Sequence, residues 1–204
     1  MKQRIFYSGI LGVLLFVTAV ILGGLQFESN SHVQHYISES YATGTPYGPQ
    51  LRYGLYIPAG ICIALFAFLS PTVLPRSPLM KWSFYGIGIF YGLATVVVSL
   101  FPCDAGCNPE LINPSISQMI HNAMGALTYL IVPPCMVAIG IKATKWTHGT
   151  RLYKVSLFCG MTAFCLMLVL AQNPFGTYVG LQQRIIEGSI LFWIVYTAIY
   201  IKKL

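Results

Sequence analysis

Six apolar runs limit what this chain can become. They lie near residues 5–25, 53–70, 83–101, 117–141, 153–172 and 183–201. Each is about 17–25 residues long, enough for a helix to cross a hydrocarbon core of about 30 Å. Inside lipid every backbone N–H and C=O needs a partner within the segment, which makes helices the expected form. The predicted fold class is all-α and integral to the membrane: a six-transmembrane-helix bundle, one domain over 1–204, with 26–52 as its long loop. Of 204 residues, 56% are hydrophobic and 8% charged, against roughly 25% charged in soluble domains. No separate soluble domain is expected. The first run follows the positive stretch Met1-Lys2-Gln3-Arg4 and lacks a small-residue cleavage site, so it reads as a retained signal anchor.

A net charge of +7 would suggest a nucleic-acid surface in a soluble protein. Here the distribution argues otherwise. Lys2, Arg4, Arg76, Lys81, Lys142, Lys145, Arg151, Lys154, Lys202 and Lys203 all fall on one side of a six-span layout. The positive-inside rule makes that side, and both termini, cytoplasmic. Glu28, Glu39, Asp104, Glu110 and Glu187 fall on or near the other side, with Arg52 and Arg184. The expected partners are membrane lipids, not nucleic acid.

Several segments carry local instructions. Gly88 and Gly92 form a small-xxx-small pair that permits close helix approach. Pro133-Pro134 is predicted to kink the fourth span. Ser115-Ile116-Ser117-Gln118 reads as the capping box that starts it. Ser31 is placed to cap a short surface helix over 32–40, which Gly44-Thr45-Pro46-Tyr47-Gly48-Pro49 would end. The aromatic residues, 14% of the chain, read mostly as an interfacial and lipid-facing belt.

The candidate chemistry gathers on the outer side. Phe101-Pro102-Cys103-Asp104-Ala105-Gly106-Cys107 packs a carboxylate and two thiols into one turn at the membrane boundary. Asp104 is suited to act as general base, metal ligand or cation partner; the plainer roles are capping the fourth helix or pairing with Arg184. Cys103 and Cys107 face an oxidising side and suit a disulfide, whereas two cysteines without a second ligand pair are weak grounds for zinc. His121, near the start of the fourth helix, suits a ligand or proton shuttle, or a simple hydrogen bond to a neighbour. His32, His35 and Glu39 would share a helical face that permits a metal with Asp104 or His121, but they lack the His-Glu-x-x-His pattern. No metal and no cofactor are expected. Arg184 and Glu187, three apart and one turn into the last span, read as an intrahelical pair or as a headgroup site in which the arginine takes a phosphate. No GxSxG elbow, P-loop or dinucleotide fingerprint occurs.

Tyr36-Ile37-Ser38-Glu39 with Ala42-Thr43-Gly44-Thr45-Pro46, then the Phe101–Cys107 turn, then His121 and Gln183-Arg184, resemble the bacterial membrane family catalogued as domain of unknown function 998. The resemblance covers essentially the whole chain. It implies a six-span protein of the bacterial inner membrane and points to Ser38, Glu39, Asp104, His121 and Arg184. The Ile-Ser-Glu segment is also distantly similar to the Ile-Ser-Asp segment of the Frag/DRAM/Sfk membrane proteins, which act around lipid-anchor remodelling and lipid distribution.

The function these features favour is binding of a lipid or amphiphile headgroup at an extracytoplasmic site. Glu39, Asp104, His121, Arg184 and Glu187 would form it under the 26–52 loop. The alternatives are an intramembrane hydrolase or transferase, metal-assisted or not, built on Asp104 and His121 with Glu39 or Ser38, and a transport or accessory subunit without chemistry. The lack of an ionisable residue at the centre of any span counts against proton-coupled transport.

Overall fold

The computed structural model describes residues 1–27 and 31–204; Glu28, assigned by sequence to the outer loop, lies outside the described residues. Among the described residues six helices are long and apolar enough to cross a membrane: α1 (Lys2–Leu25), α2 (Gly48–Thr72), α3 (Pro78–Leu100), α4 (Ile116–Ala143), α5 (Gly149–Gln172) and α6 (Val179–Lys203). No strand occurs among the described residues. Each helix packs on its neighbours in sequence, and α6 closes back onto α1, so the bundle is a ring. Six crossings return the chain to the end where it began, and Lys202 Nζ lies 4.2 Å from the centre of the Phe6 ring. The loops before α2, α4 and α6 meet at the opposite end. There Thr43 N donates to Cys103 O at 2.9 Å and Tyr36 Oη donates to Pro174 O at 2.9 Å.

Four helices, α2, α3, α5 and α6, begin four or five residues before their apolar runs, for local reasons. In α3, Ser77 Oγ accepts from Met80 N at 3.4 Å and Pro78 supplies a first-turn φ. In α6 the first two turns hold Gln182, Gln183 and Arg184, too polar to read as membrane but engaged with the loop above. Glu187 therefore lies eight residues past Val179, about 12 Å along the helix at about 1.5 Å per residue. That is more than two turns deep, not the single turn expected.

Small residues set the closest approaches. A Cβ on Gly92 would come within 2.7 Å of Ala64 Cα, and one on Gly60 within 2.6 Å of Gly92 O, so α2 and α3 meet backbone to backbone as the small-xxx-small reading requires. Its other member, Gly88, faces the Phe68 ring. The helical assignment of α4 continues unbroken through Pro133 and Pro134, with Gly160 of α5 seated against Pro133 O.

Besides a closing 3-10 turn at Ser70–Thr72 of α2, two stretches of the spanning helices depart from α geometry. Arg52–Tyr56 in α2 and Gly88–Leu93 in α3 are π-helical, a form that appears mostly as single-turn bulges, often at functional sites. Towards the terminal end the ring is filled with apolar side chains. Phe84 lies between Phe66 and Trp193, with ring centres 6.3 and 6.0 Å away. Ile5, Met136 and Ile194 are fully buried around them. Trp193 Nε1 donates to Ser156 Oγ of α5 at 2.7 Å, which satisfies the one polar atom of that side chain.

Candidate functional site

The 31–47 segment folds onto the loop end of the ring. Ser31 caps only one turn, accepting from Gln34 N at 3.3 Å. The chain then extends at Tyr36 (φ −60°, ψ 151°) and restarts as a 3-10 helix, Ile37–Tyr41. The continuous surface helix expected over 32–40 is thus replaced, because Glu39 begins a new turn by accepting from Tyr36 N at 2.7 Å. Burial pushes the Glu39 carboxyl above its ordinary range, and the Tyr36 hydrogen bond pulls it partly back.

Polar groups at the head of α6 and the foot of this loop hold it down. Gln183 Oε1 accepts from Ile37 N at 2.6 Å. Arg184 Nη1 donates to His35 O at 2.7 Å and to Gly180 O at 3.0 Å. Leu181 N donates to Val33 O at 3.0 Å. Across the ring, Gln26 Nε2 of the α1 exit donates to Ser40 O at 2.6 Å. Two glycines make room for the contact: a Cβ on Gly180 would collide with His35 O, and one on Gly23 would lie 2.5 Å from Ser40 Oγ.

Beneath the 3-10 turn lies a cavity of about 70 Å³. Every helix except α5 lines it. Phe16 comes from α1, Tyr56 from α2, Tyr91 and Thr95 from α3, His121, Gly125 and Tyr129 from α4, and Gln183 and Glu187 from α6. The turn contributes Ile37, Ser38 and Tyr41. Tyr56 and Tyr91 both stand within the π-helical stretches. At the centre of the polar wall is Glu187, 8% exposed. One of its oxygens accepts from Tyr91 Oη at 2.7 Å and the other from Tyr129 Oη at 2.7 Å. Gln183 Nε2 donates to Tyr129 Oη at 3.1 Å, so one glutamine joins the loop to the tyrosine pair. His121 places Nδ1 3.3 Å from Val98 O and 3.2 Å from Phe101 O.

Of the residues singled out from the sequence, Ser38, His121 and Glu187 line this cavity and Glu39, Asp104 and Arg184 do not. Glu39 closes its own turn, and Arg184 is engaged by loop and helix carbonyls. The expected Arg184–Glu187 pair gives way to separate partners, because α6 starts early enough to aim the arginine at the loop and the carboxylate inward. Asp104 sits at the head of α4, where it accepts from Ser115 N at 3.0 Å and from Ser115 Oγ. Those hydrogen bonds hold its carboxyl below its ordinary range. The capping box is half formed. Ser115 Oγ accepts from Gln118 N at 3.1 Å, but Gln118 Oε1 turns to Asp104 N at 2.8 Å.

Cys103 and Cys107 are joined as a disulfide with Cα atoms 4.7 Å apart, and Ser38 Oγ lies 3.3 Å from Cys107 Sγ. Among the described residues no group of three His, Cys, Asp or Glu side chains is arranged to hold a metal.

The tyrosines are what the sequence reading missed. Tyr41, Tyr56, Tyr91 and Tyr129 face the cavity, not the lipid belt. A usable signal existed: Tyr91, Thr95 and Ser99 recur every four residues on α3, and His121, Gly125, Thr128 and Tyr129 share one stripe of α4. The other hollow of note is a groove of about 550 Å³ on the terminal end, lined by Arg76, Lys81, Trp82 and Tyr85 among others.

A family model described as a protein of unknown function (DUF998) matches residues 10–200. No curated protein and no solved structure matches the chain.

Proposed function

We propose that this chain, which belongs to the DUF998 family, is a membrane protein that binds the polar end of a lipid or another amphiphile in the tyrosine-lined cavity. The observation that carries the reading is the position of Glu187. A carboxylate more than two turns inside a spanning helix is costly, and this one is held by two phenols on the wall of a cavity that also presents His121 and Ser38. The 3-10 turn above, fastened at Gln183, Arg184 and Gln26, serves as its cover. The headgroup set is accordingly narrowed to His121, Glu187 and the tyrosines, with Glu39, Asp104 and Arg184 in supporting roles.

Charge sorting orients this site. Ten of the twelve basic residues lie towards the terminal end, which we take as cytoplasmic. The cavity then opens on the extracytoplasmic side, and a bacterial inner membrane is the setting the family resemblance suggests. A hydrolase built on Asp104 and His121 draws no support from a carboxylate engaged at the head of α4. Below Glu187 the buried side chains of Ile190, Trp193 and Ile194 favour a dead-end site over a conduit.

The test is to extract the wild type and Glu187→Gln into native-lipid nanodiscs and identify retained amphiphiles by native mass spectrometry. The wild type is expected to hold one amphiphile that Glu187→Gln loses. Equal retention by both, or none by the wild type, would overturn the reading.

A further inference from the structure

The cavity's hydrogen-bond inventory specifies the charge of its occupant. Both Glu187 oxygens accept phenolic protons, the arrangement of an ionised carboxylate with lone pairs to spare. Tyr91 and Tyr129 donate their only protons there. Carbonyl oxygens only accept, so the two that approach His121 Nδ1 put the ring proton on that nitrogen and leave Nε2 its lone pair. Gln183 is engaged at both ends. The hydroxyls of Ser38, Tyr41 and Tyr56 are the exceptions. Tyr56 is 1% exposed, lines the cavity and makes no hydrogen bond of good geometry, with the Ser40 hydroxyl, itself donating to Ile37 O, beside it. A buried hydroxyl left so is costly unless something fills the space beside it.

The open capacity is therefore the spare lone pairs around one negative charge, together with the hydroxyls of Ser38, Tyr41 and Tyr56, which can donate or accept. Arg184, the cation nearest in sequence, points to the His35 and Gly180 carbonyls. A buried charge calls for an opposite one. The other wall is aromatic: the Tyr56 ring centre lies 4.6 Å from that of Tyr41 and 5.3 Å from that of Phe16, and such faces attract cations.

We propose that the cavity takes a protonated primary amine, either the aminoethyl end of an amphiphile's headgroup or a small free amine. An ammonium brings three donors on one compact cation, matching the carboxylate, the imidazole lone pair and a phenolic oxygen. A space of about 70 Å³ admits a group of a few heavy atoms and no more. A phosphate would meet the carboxylate's charge with no lysine or arginine on the lining to offset it. The amine assignment rests on headgroup binding in this cavity and adds the chemical class of the ligand.

The test uses the full chain in nanodiscs of equal phosphatidylethanolamine and phosphatidylglycerol, with bound lipid read by native mass spectrometry. Gly125→Leu is the informative variant. A Cβ there meets nothing within 4 Å, so the side chain can fill the cavity while every polar group stays. Replacing a helical glycine also improves helix propensity, which separates lost binding from lost folding. Only lipid that Gly125→Leu releases is scored, which excludes the Arg76 groove.

The expected result is an ethanolamine lipid favoured at least about tenfold, equivalent to about 1.4 kcal/mol, with the preference abolished in Glu187→Gln. Displacement by millimolar ethanolamine supports recognition of the amine alone. Retention against it supports the intact lipid as the source. If the Gly125-sensitive lipid is phosphatidylglycerol, the amine proposal fails and headgroup binding stands. If neither lipid nor ethanolamine is retained at that site, both fail.

Discussion

Glu187 shows how a single acidic residue is kept inside a lipid-facing bundle. Its two phenolic donors replace water, and hydrogen bonds to a charged group typically contribute about 1.5–3 kcal/mol each. Tyr91→Phe and Tyr129→Phe are each expected to destabilise by about that amount. In a Glu187→Gln background the same substitutions should cost distinctly less, and detergent denaturation melts of the four combinations check this coupling. Charge and depth made Glu187 and His121 legible in the sequence. The tyrosines were not, because an aromatic in an apolar run reads the same whether its hydroxyl faces headgroups or a cavity. Only the polar stripes of α3 and α4 separate the cases.

At the level of elements, the heads of α4 and α6 carry the site's supports. Ser115→Ala removes the α4 cap and should lower stability by about 0.5–2 kcal/mol, measurable in the same melts. Asp104 acts on that cap with a definite sign. Its folded carboxyl titrates below the ordinary value, so its contribution is complete above that value and disappears as pH falls through the lower, folded one. Glu39 works in the opposite direction. Burial raises it, so stability falls as pH rises from its unfolded value through the raised one. Asp104→Asn should flatten the first slope and Glu39→Gln the second, read as melting temperature against pH. Gly180→Ala should lift the loop from α6, because a methyl there strikes His35 O, and should raise hydrogen exchange across 33–41 without unfolding the helices. The capping motif of α4 was readable from Ser115 to Gln118, and so was Asp104 at the head of that helix; the turn of Gln118 Oε1 to Asp104 N, fourteen residues away in sequence, was not. The loop helix failed to appear for a similar reason: Glu39 favoured a fresh turn over continuing one.

For the molecule as a whole, hydropathy and charge carried most of the architecture. The number of spans follows from apolar length, and the early starts of α2, α3, α5 and α6 were hidden by first turns that carry Gly, Pro or polar residues. The proposed orientation is open to direct test. A green fluorescent protein fused after Leu204 should fluoresce, and alkaline phosphatase inserted at the open Gly44 turn should be active; the reverse pattern would invert the site. Gly92→Leu should separate α2 from α3, because its Cβ meets Ala64 backbone, and overpacking of that kind costs about 1–3 kcal/mol. The π-helical stretches bear on inheritance as well as shape. A π bulge holds one residue more than the α turn it replaces, so Tyr56 and Tyr91 owe their heading to a surplus position in each helix. Deleting one codon in a bulge, such as that for Gly54, would return that stretch to α geometry and change the heading of the tyrosine within it, with every site side chain still encoded. A relative one residue shorter in either stretch would keep the letters and lose the bulge, so the site is inherited as a count as much as a set of names.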